Sequence, residues 1–302
     1  MGKRWRADAC LILCGVLLWL LADAARLRTE AAQALVLCGG TVVPSLFPFM
    51  AVTGLLTRLG FGQWASPWLA GLMALFRLPG AAGAPLLLGL VGGYPIGARA
   101  AAELYAVGEL TKDETERLLA FCNNSNPVFL VSVLGNGVFH SPRAGLWLWL
   151  IHVLSALLTG LLFRGHGRGR RSVPPRCAVQ AVSFSKSFVD AVRDAAAGML
   201  SVCAFVTLFY VLLAPLRQLS APWAAPLVGM TELFSLMPLL RCDRLSFLLA
   251  AGCAGWGGLS VLCQTAAVLD GTDLSLRPCL LGKLTQGLLS AALAVPLSLW
   301  VL

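Results

Sequence analysis

Residues 118–139 read LLAFCNNSNPVFLVSVLGNGVF, an apolar stretch interrupted by the four polar side chains of Asn123–Asn126 and then by Pro127. Proline lacks a backbone N–H and disfavours helix in the residue before it. Irregular backbone at membrane depth persists only where protein or a water-filled cavity satisfies its polar groups. The stretch therefore predicts a broken membrane helix, with an ordinary turn at a membrane surface as the alternative.

The composition of the whole chain is that of a membrane protein. Of its 302 residues, 58% are hydrophobic and only 12% are charged, whereas soluble domains carry about 25% charged residues. A spanning helix needs roughly 20 apolar residues. Seven runs are this long or nearly so, and three shorter ones fit half-membrane or re-entrant pieces: 9–25, 31–57, 81–98, 144–163, 195–214, 245–269 and 286–302, then 64–76, 128–139 and 224–240. We predict an all-α polytopic membrane protein with about eight spans, several of them broken or re-entrant.

The positive charge predicts the topology in the bilayer. The net charge is +9, and residues 164–186 hold six basic residues and no acid. Lys and Arg concentrate in loops that stay cytoplasmic, so 164–186 is predicted to be a cytoplasmic linker, and lipid is favoured over nucleic acid as the partner. Lys3, Arg4 and Arg6 place the N-terminus on the same side. The first apolar run imitates a signal peptide, but a retained span is favoured because Arg26 and Arg28 follow it directly.

The linker divides the chain into two apolar halves, 1–163 and 187–302, which carry a weak internal repeat. Gly92-Gly93 and Gly257-Gly258 each open an Ala-rich segment that is followed by a turn and a new helix start. Chance similarity is the alternative, because Gly and Ala are common in membrane helices. Many transporters consist of two repeats with the substrate between them near the midplane. We therefore expect a substrate site between the halves.

The break at residues 92–97 is the second candidate part of this site. A helix that restarts after Pro95 presents free backbone N–H groups, which favour an anion. Arg99 lies one turn into that helix, with Glu103 four residues further on. The alternative is a helix-packing glycine motif with a local ion pair. Another break, at residues 43–48, predicts either a re-entrant element or a simple kink.

Glu232 is a third candidate because a carboxylate within an apolar stretch is costly and is by default a functional hypothesis. It is a candidate site for a coupling cation or a proton, and a water-exposed helix end is the alternative. Ser260 and Gln264 share one helix face and extend the polar path. We interpret Lys283 as a lysine near a helix end whose ammonium reaches the membrane surface. Such a lysine does not need a functional role. The candidate substrate-binding residues are Gly93, Tyr94, Arg99, Asn123, Asn124, Ser125, Asn126, Ser260 and Gln264.

Catalytic and metal motifs are not found in the sequence. There is no hydrolase elbow, phosphate-binding loop or metalloprotease motif, and the ten cysteines form neither a C-x-x-C pair nor a Cys/His cluster. We expect no catalytic residue, metal or cofactor, and no enzyme activity.

Five motifs, in this order, resemble the family of the sporulation integral membrane protein YlbJ, also called SpoVV: Pro44–Phe49, Gly93–Arg99, Leu110–Pro127, Gly255–Val261 and Gly282–Gly287. Asn126 and the residues after Glu232 depart from the pattern of the family. The resemblance implies a protein of the mother cell of spore-forming bacteria, in the outer forespore membrane, that moves dipicolinic acid towards the forespore. It also implies halves similar to the gate domains of nucleoside and ferrous-iron transporters.

Two other functions stay open at this point. One is nucleoside or cation transport of the gate-domain type, and the other is a scaffold that assembles a spore membrane complex without transporting anything. Dipicolinate, a dianion near neutral pH, would suit helix N-termini, Arg99 and the Asn/Ser segment. The coupling ion, the direction of flow and a homo-oligomeric state are left undecided by the sequence.

Overall fold

A computed structural model describes residues 2–165 and 183–301. Most of the predicted cytoplasmic linker, residues 166–182, lies outside them. The described chain is helical throughout and contains no strand, which confirms the predicted fold class. Two π-helical segments, Cys38–Val42 and Phe129–Val138, accompany fifteen α-helices. The α-helices are α1 Gly2–Ala22, α2 Ala24–Leu37, α3 Val43–Arg58, α4 Phe61–Leu75, α5 Gly83–Gly92, α6 Ile96–Ala106, α7 Lys112–Leu119, α8 Pro142–Phe163, α9 Phe184–Leu212, α10 Ala214–Arg217, α11 Ala224–Thr231, α12 Leu233–Leu236, α13 Arg244–Trp256, α14 Leu259–Leu269 and α15 Arg277–Val301.

Several helices are long and apolar enough to cross a bilayer, so the chain is an integral membrane protein. Within the described residues five qualify, and α4 with Gly80–Gly92 would make a sixth, bent by 94°. The five are Ala24–Arg58, Pro142–Phe163, Phe184–Leu212, Arg244–Leu269 and Arg277–Trp300. The expected count of eight is therefore not confirmed. Residues 43–48 stay helical inside the first of these spans, so the re-entrant element considered there is not formed.

Polar side chains define where several helices begin. Thr111 and Glu114 form the capping box expected from their spacing, with Thr111 N donating to Glu114 Oε2 at 2.9 Å. Ser141 accepts from Ala144 N at 3.2 Å at the start of α8, and Asp243 accepts from Ser246 N at 2.8 Å at the start of α13. Each bond satisfies an N–H that the first turn of a helix leaves free.

Three of the four breaks predicted from the sequence are present, the exception being residues 43–48. Gly93, with φ of 84°, separates α5 from α6, and Gly257 and Gly258, with φ of 85° and 92°, separate α13 from α14. Only glycine adopts these angles without strain. Asn123–Asn126 are non-helical, between α7 and the second π-helical segment. Both glycine breaks thus join two helices end to end, while a duplication of the halves stays a prediction.

Two glycines hold the Asn123–Asn126 segment in place. The carbonyl oxygen of Cys122 lies between Gly89 of α5 and Gly97 of α6, and a Cβ added to either glycine would collide with it. Lipid tails are as apolar as leucine, so close packing and buried hydrogen bonds hold membrane helices together. This contact therefore fixes the start of the polar segment between α5 and α6.

Candidate functional site

The four polar residues Asn123–Asn126 are buried, each no more than 2% exposed, so the alternative of a surface turn is wrong. Asn123 Nδ2 donates to Thr265 Oγ1 at 2.8 Å, and Asn126 Nδ2 donates to Val91 O at 3.1 Å. The first bond reaches α14 and the second reaches the end of α5. The segment therefore joins the two glycine breaks.

His152 of α8 and Gln286 of α15 bind the other side of this segment. Ser125 N donates to His152 Nε2 at 3.0 Å, and Gln286 Nε2 donates to Asn124 Oδ1 at 3.0 Å. Because Nε2 accepts, Nδ1 carries the proton of the neutral ring. His152 was not among the candidate site residues predicted from the sequence. The signal that would have found it is a histidine within a 22-residue apolar helix, because an ionisable residue inside a membrane span is rare and is by default a functional hypothesis.

Lys283 is not at the membrane surface, and the interpretation made from the sequence is wrong. The side chain is 0% exposed, because the packing of α15 against α8 and α13 turns it inward. Its Nζ donates to Asn123 O at 2.9 Å and to Gln286 Oε1 at 2.7 Å, and lies 5.1 Å from the centre of the Tyr94 ring. No carboxylate among the described residues forms an ion pair with it.

Five of the predicted residues line one small cavity of about 30 Å³: Tyr94, Ser125, Asn126, Glu232 and Gln264. Tyr94 OH donates to Ala254 O at 2.9 Å, and Ser125 Oγ donates to Tyr94 OH at 3.1 Å. The cavity thus lies where the residues of both halves meet, and its volume accommodates about one water molecule.

Glu232 is buried, 2% exposed, and is not at a water-exposed helix end as the alternative proposed. Its carboxylate accepts from Phe234 N at 2.9 Å and from Ser235 N at 2.5 Å, which caps α12. This cap accounts for part of its stabilisation in an apolar environment. Binding of a coupling ion at Glu232 stays a prediction.

A second cavity, of about 450 Å³, lies along α9 from Ala191 to Val202 and is also lined by Arg99, Arg58, Asp194, Glu103 and Gln264. Arg58 and Asp194 form an ion pair of 2.5 Å. Arg99 is exposed and forms no ion pair or hydrogen bond with the described residues, so the local pair with Glu103 is not formed. This leaves a guanidinium in the cavity that is available to a carboxylate.

Gln264 and Val202 line both cavities and so form the wall between them. Gln264 Nε2 donates to Ser260 Oγ at 3.3 Å, which holds the amide along α14, while Ser260 lines neither cavity. Gly93 packs against Asn126, where an added Cβ would lie 2.8 Å from the Asn126 Cβ. Asn123 and Asn124 face Lys283 and Gln286 instead of the cavities.

Outside the spans, Asp273 in the loop before α15 accepts from Tyr105 OH at 2.7 Å and from Lys112 Nζ at 3.1 Å. These hydrogen bonds lower the pKa of Asp273. The loop between α14 and α15 is thereby joined to α6 and α7.

Replacing His152 with leucine is expected to lower the free energy of unfolding by about 1–3 kcal/mol, because the buried N–H of Ser125 loses its acceptor. The comparison variant is His152→Gln, whose side-chain oxygen can accept the same bond. Thermal unfolding in detergent measures both. Equal stability of His152→Leu and the wild type would show that this hydrogen bond does not hold the segment.

The fold and site define a polytopic α-helical membrane protein in which broken helices meet at a buried polar cluster. Residues 40–140 match the family model of the Gate domain, described as nucleoside recognition. The chain is also 28% identical over 294 aligned residues to the sporulation integral membrane protein YlbJ of Bacillus subtilis (strain 168). This alignment covers 83% of the chain and 72% of that protein, which confirms the resemblance found in the motifs. No solved structure matches the chain.

Proposed function

We propose that the protein is a transporter that moves dipicolinic acid from the mother cell towards the forespore. The observation that carries the proposal is the cavity of about 450 Å³ that Arg99 lines without forming an ion pair or hydrogen bond with the described residues. Dipicolinate is a rigid dicarboxylate with a ring nitrogen, and a guanidinium binds a carboxylate through two parallel hydrogen bonds. The similarity to a protein named for sporulation supports the biological setting.

The arrangement of the two cavities supports a direction of entry. The large cavity lies along α9 from Ala191 to Val202, with Asp194 and its partner Arg58 towards the end of α9 that follows the predicted cytoplasmic linker. The small cavity, about 30 Å³, is large enough for about one water molecule but not for a dicarboxylate. Dipicolinate would therefore bind first beside Arg99, and the wall of Val202 and Gln264 must move before it reaches Ser125 and Asn126.

The direct test is dipicolinate flux into liposomes that contain the purified protein. We expect uptake above that of empty liposomes. Uptake equal to that of empty liposomes, with folded protein verified by a monodisperse elution profile and helical circular dichroism, would refute the proposal.

A nucleoside is the second candidate substrate, and the match of residues 40–140 to a Gate model described as nucleoside recognition favours it. A nucleoside is uncharged, so Arg99 would contribute less to its binding. If dipicolinate is the substrate, excess nucleoside should leave its uptake unchanged. Inhibition by nucleosides, together with nucleoside uptake, would identify nucleosides as the substrate.

A further inference from the structure

The buried environment of Lys283 satisfies a neutral amine better than an ammonium. Two acceptors, Asn123 O and Gln286 Oε1, lie within hydrogen-bond distance of Nζ. A neutral amine has two N–H donors, whereas an ammonium has three. With two acceptors, the amine is fully paired. The third proton of the ammonium has no further hydrogen-bond acceptor among the described residues and only a cation–π contact with the Tyr94 ring, 5.1 Å away.

The titratable groups around Lys283 supply no negative counter-charge. They are Tyr94 from the first glycine break, Cys122 at the start of the polar segment, His152 from α8 and Cys279 one turn earlier on α15. None is a carboxylate. A buried cation without a counter-charge is strongly disfavoured, and the group responds by losing its proton or by gaining an anion.

We infer that Lys283 takes up a proton when the anionic substrate enters the site between the halves and releases it when the substrate leaves. The inference rests on the proposed function and adds the energy source, since one proton would travel with each dipicolinate. The Tyr94 ring lies 5.1 Å from Lys283 Nζ and also lines the small cavity, so an anion there would supply the missing counter-charge.

The proton balance of the cycle needs no reactant besides water. On the loading side, the Nζ lone pair forms an N–H bond with a proton from hydronium. On the opposite side, after the anion has left, that N–H bond breaks and the proton returns to water. The empty transporter then reorients with Lys283 uncharged, which avoids carrying an unpaired ammonium through the membrane.

The test compares net uptake with exchange in liposomes for Lys283→Met. Net uptake driven by an imposed pH gradient should fall to the level of empty liposomes, because the proton-binding group is absent. Exchange of labelled for unlabelled dipicolinate, measured at saturating dipicolinate on both sides, should stay within about twofold of wild type, because exchange returns the loaded form and needs no proton release. Lys112→Met, which removes an exposed lysine outside both cavities, should leave both rates unchanged.

Lys283→Gln is measured in parallel, because its amide nitrogen can donate to the same two acceptors. The inference is judged on whichever of the two variants binds dipicolinate. If a Lys283 variant lost both net uptake and exchange, or if both variants lost dipicolinate binding, the inference would be overturned and Lys283 would have a structural role. Retention of pH-driven uptake would also overturn it. The inference would also be overturned if Glu232→Gln lost pH-driven uptake and kept exchange while the Lys283 variants did not show this pattern. If wild-type uptake does not change with the pH gradient, only this inference is refuted. If the wild-type protein shows no uptake at all, the proposed function is refuted.

Discussion

Replacing Arg99 with alanine is expected to weaken dipicolinate binding about tenfold to a hundredfold, which corresponds to the 1.5–3 kcal/mol typical of a hydrogen bond to a charged group. The reason is that Arg99 lines the cavity of about 450 Å³ and forms no ion pair or hydrogen bond with the described residues, so its N–H donors are available to a carboxylate. Binding is measured by titration calorimetry in detergent. Transport at a substrate concentration below the dissociation constant should fall by the same factor.

Two controls separate this role from a general effect of charge. Arg99→Lys keeps the charge but loses the planar pair of donors, so it should recover part of the affinity. The double variant Arg58→Ala with Asp194→Ala removes an ion pair from the same cavity without changing its net charge, and should alter binding by less than Arg99→Ala. Equal losses in the double variant and in Arg99→Ala would remove Arg99 from the site. Lys283 is not a suitable control because it is fully buried.

Replacing Gly97 with leucine is expected to lower the free energy of unfolding by about 3 kcal/mol, at the upper end of the usual cost of overpacking. The Cys122 carbonyl occupies the place where the Cβ would lie, and Gly89 closes the space on the other side. Backbone, not a flexible side chain, would have to move. Thermal unfolding and the folded yield in detergent measure the effect.

The matched control is Gly71→Leu, which is also within an α-helix but has no atom within 4 Å of an added Cβ. It should unfold close to the wild-type temperature. A Gly97→Leu variant as stable as Gly71→Leu would mean that α5 and α6 do not hold the polar segment. Because the expected loss is one of stability, this result would not bear on the choice of substrate.

The breaks were predictable because their causes are local. Gly93, Pro127 and Gly257 each restrict or release the backbone at their own position, and the surrounding residues are apolar. The capping box at Thr111 is local in the same sense. We expected the breaks of the two halves to meet, and for this reason Tyr94, Ser125 and Gln264 were predicted to lie together. All three line the small cavity.

The burial of Lys283 was not predictable from its neighbours in sequence. Its partner, Asn123 O, is 160 residues away, and a lysine in an apolar helix is by itself equally compatible with the membrane surface. The contacts of Glu232 were not predictable for a different reason. The helix that it caps, α12, has only four residues, which is too short for a helical hydrophobic period to be detected in the sequence. The predicted count of eight did not allow for Gly93, which ends α5 after 10 residues, so that the apolar runs 64–76 and 81–98 make at most one bent span.

The hydrogen bonds of the Asn123–Asn126 segment have a consequence for how the chain is made. Asn123 leaves the ribosome 142 residues before Thr265 and 160 residues before Lys283. At about 5–20 residues per second, its partners arrive roughly 8–30 s later. During that interval the segment must stay hydrated or be shielded by the insertion machinery. Completion of the buried polar segment is therefore set by the arrival of α14 and α15, and a nascent chain stalled before them would leave Asn123 and the Oδ1 of Asn124 without their partners.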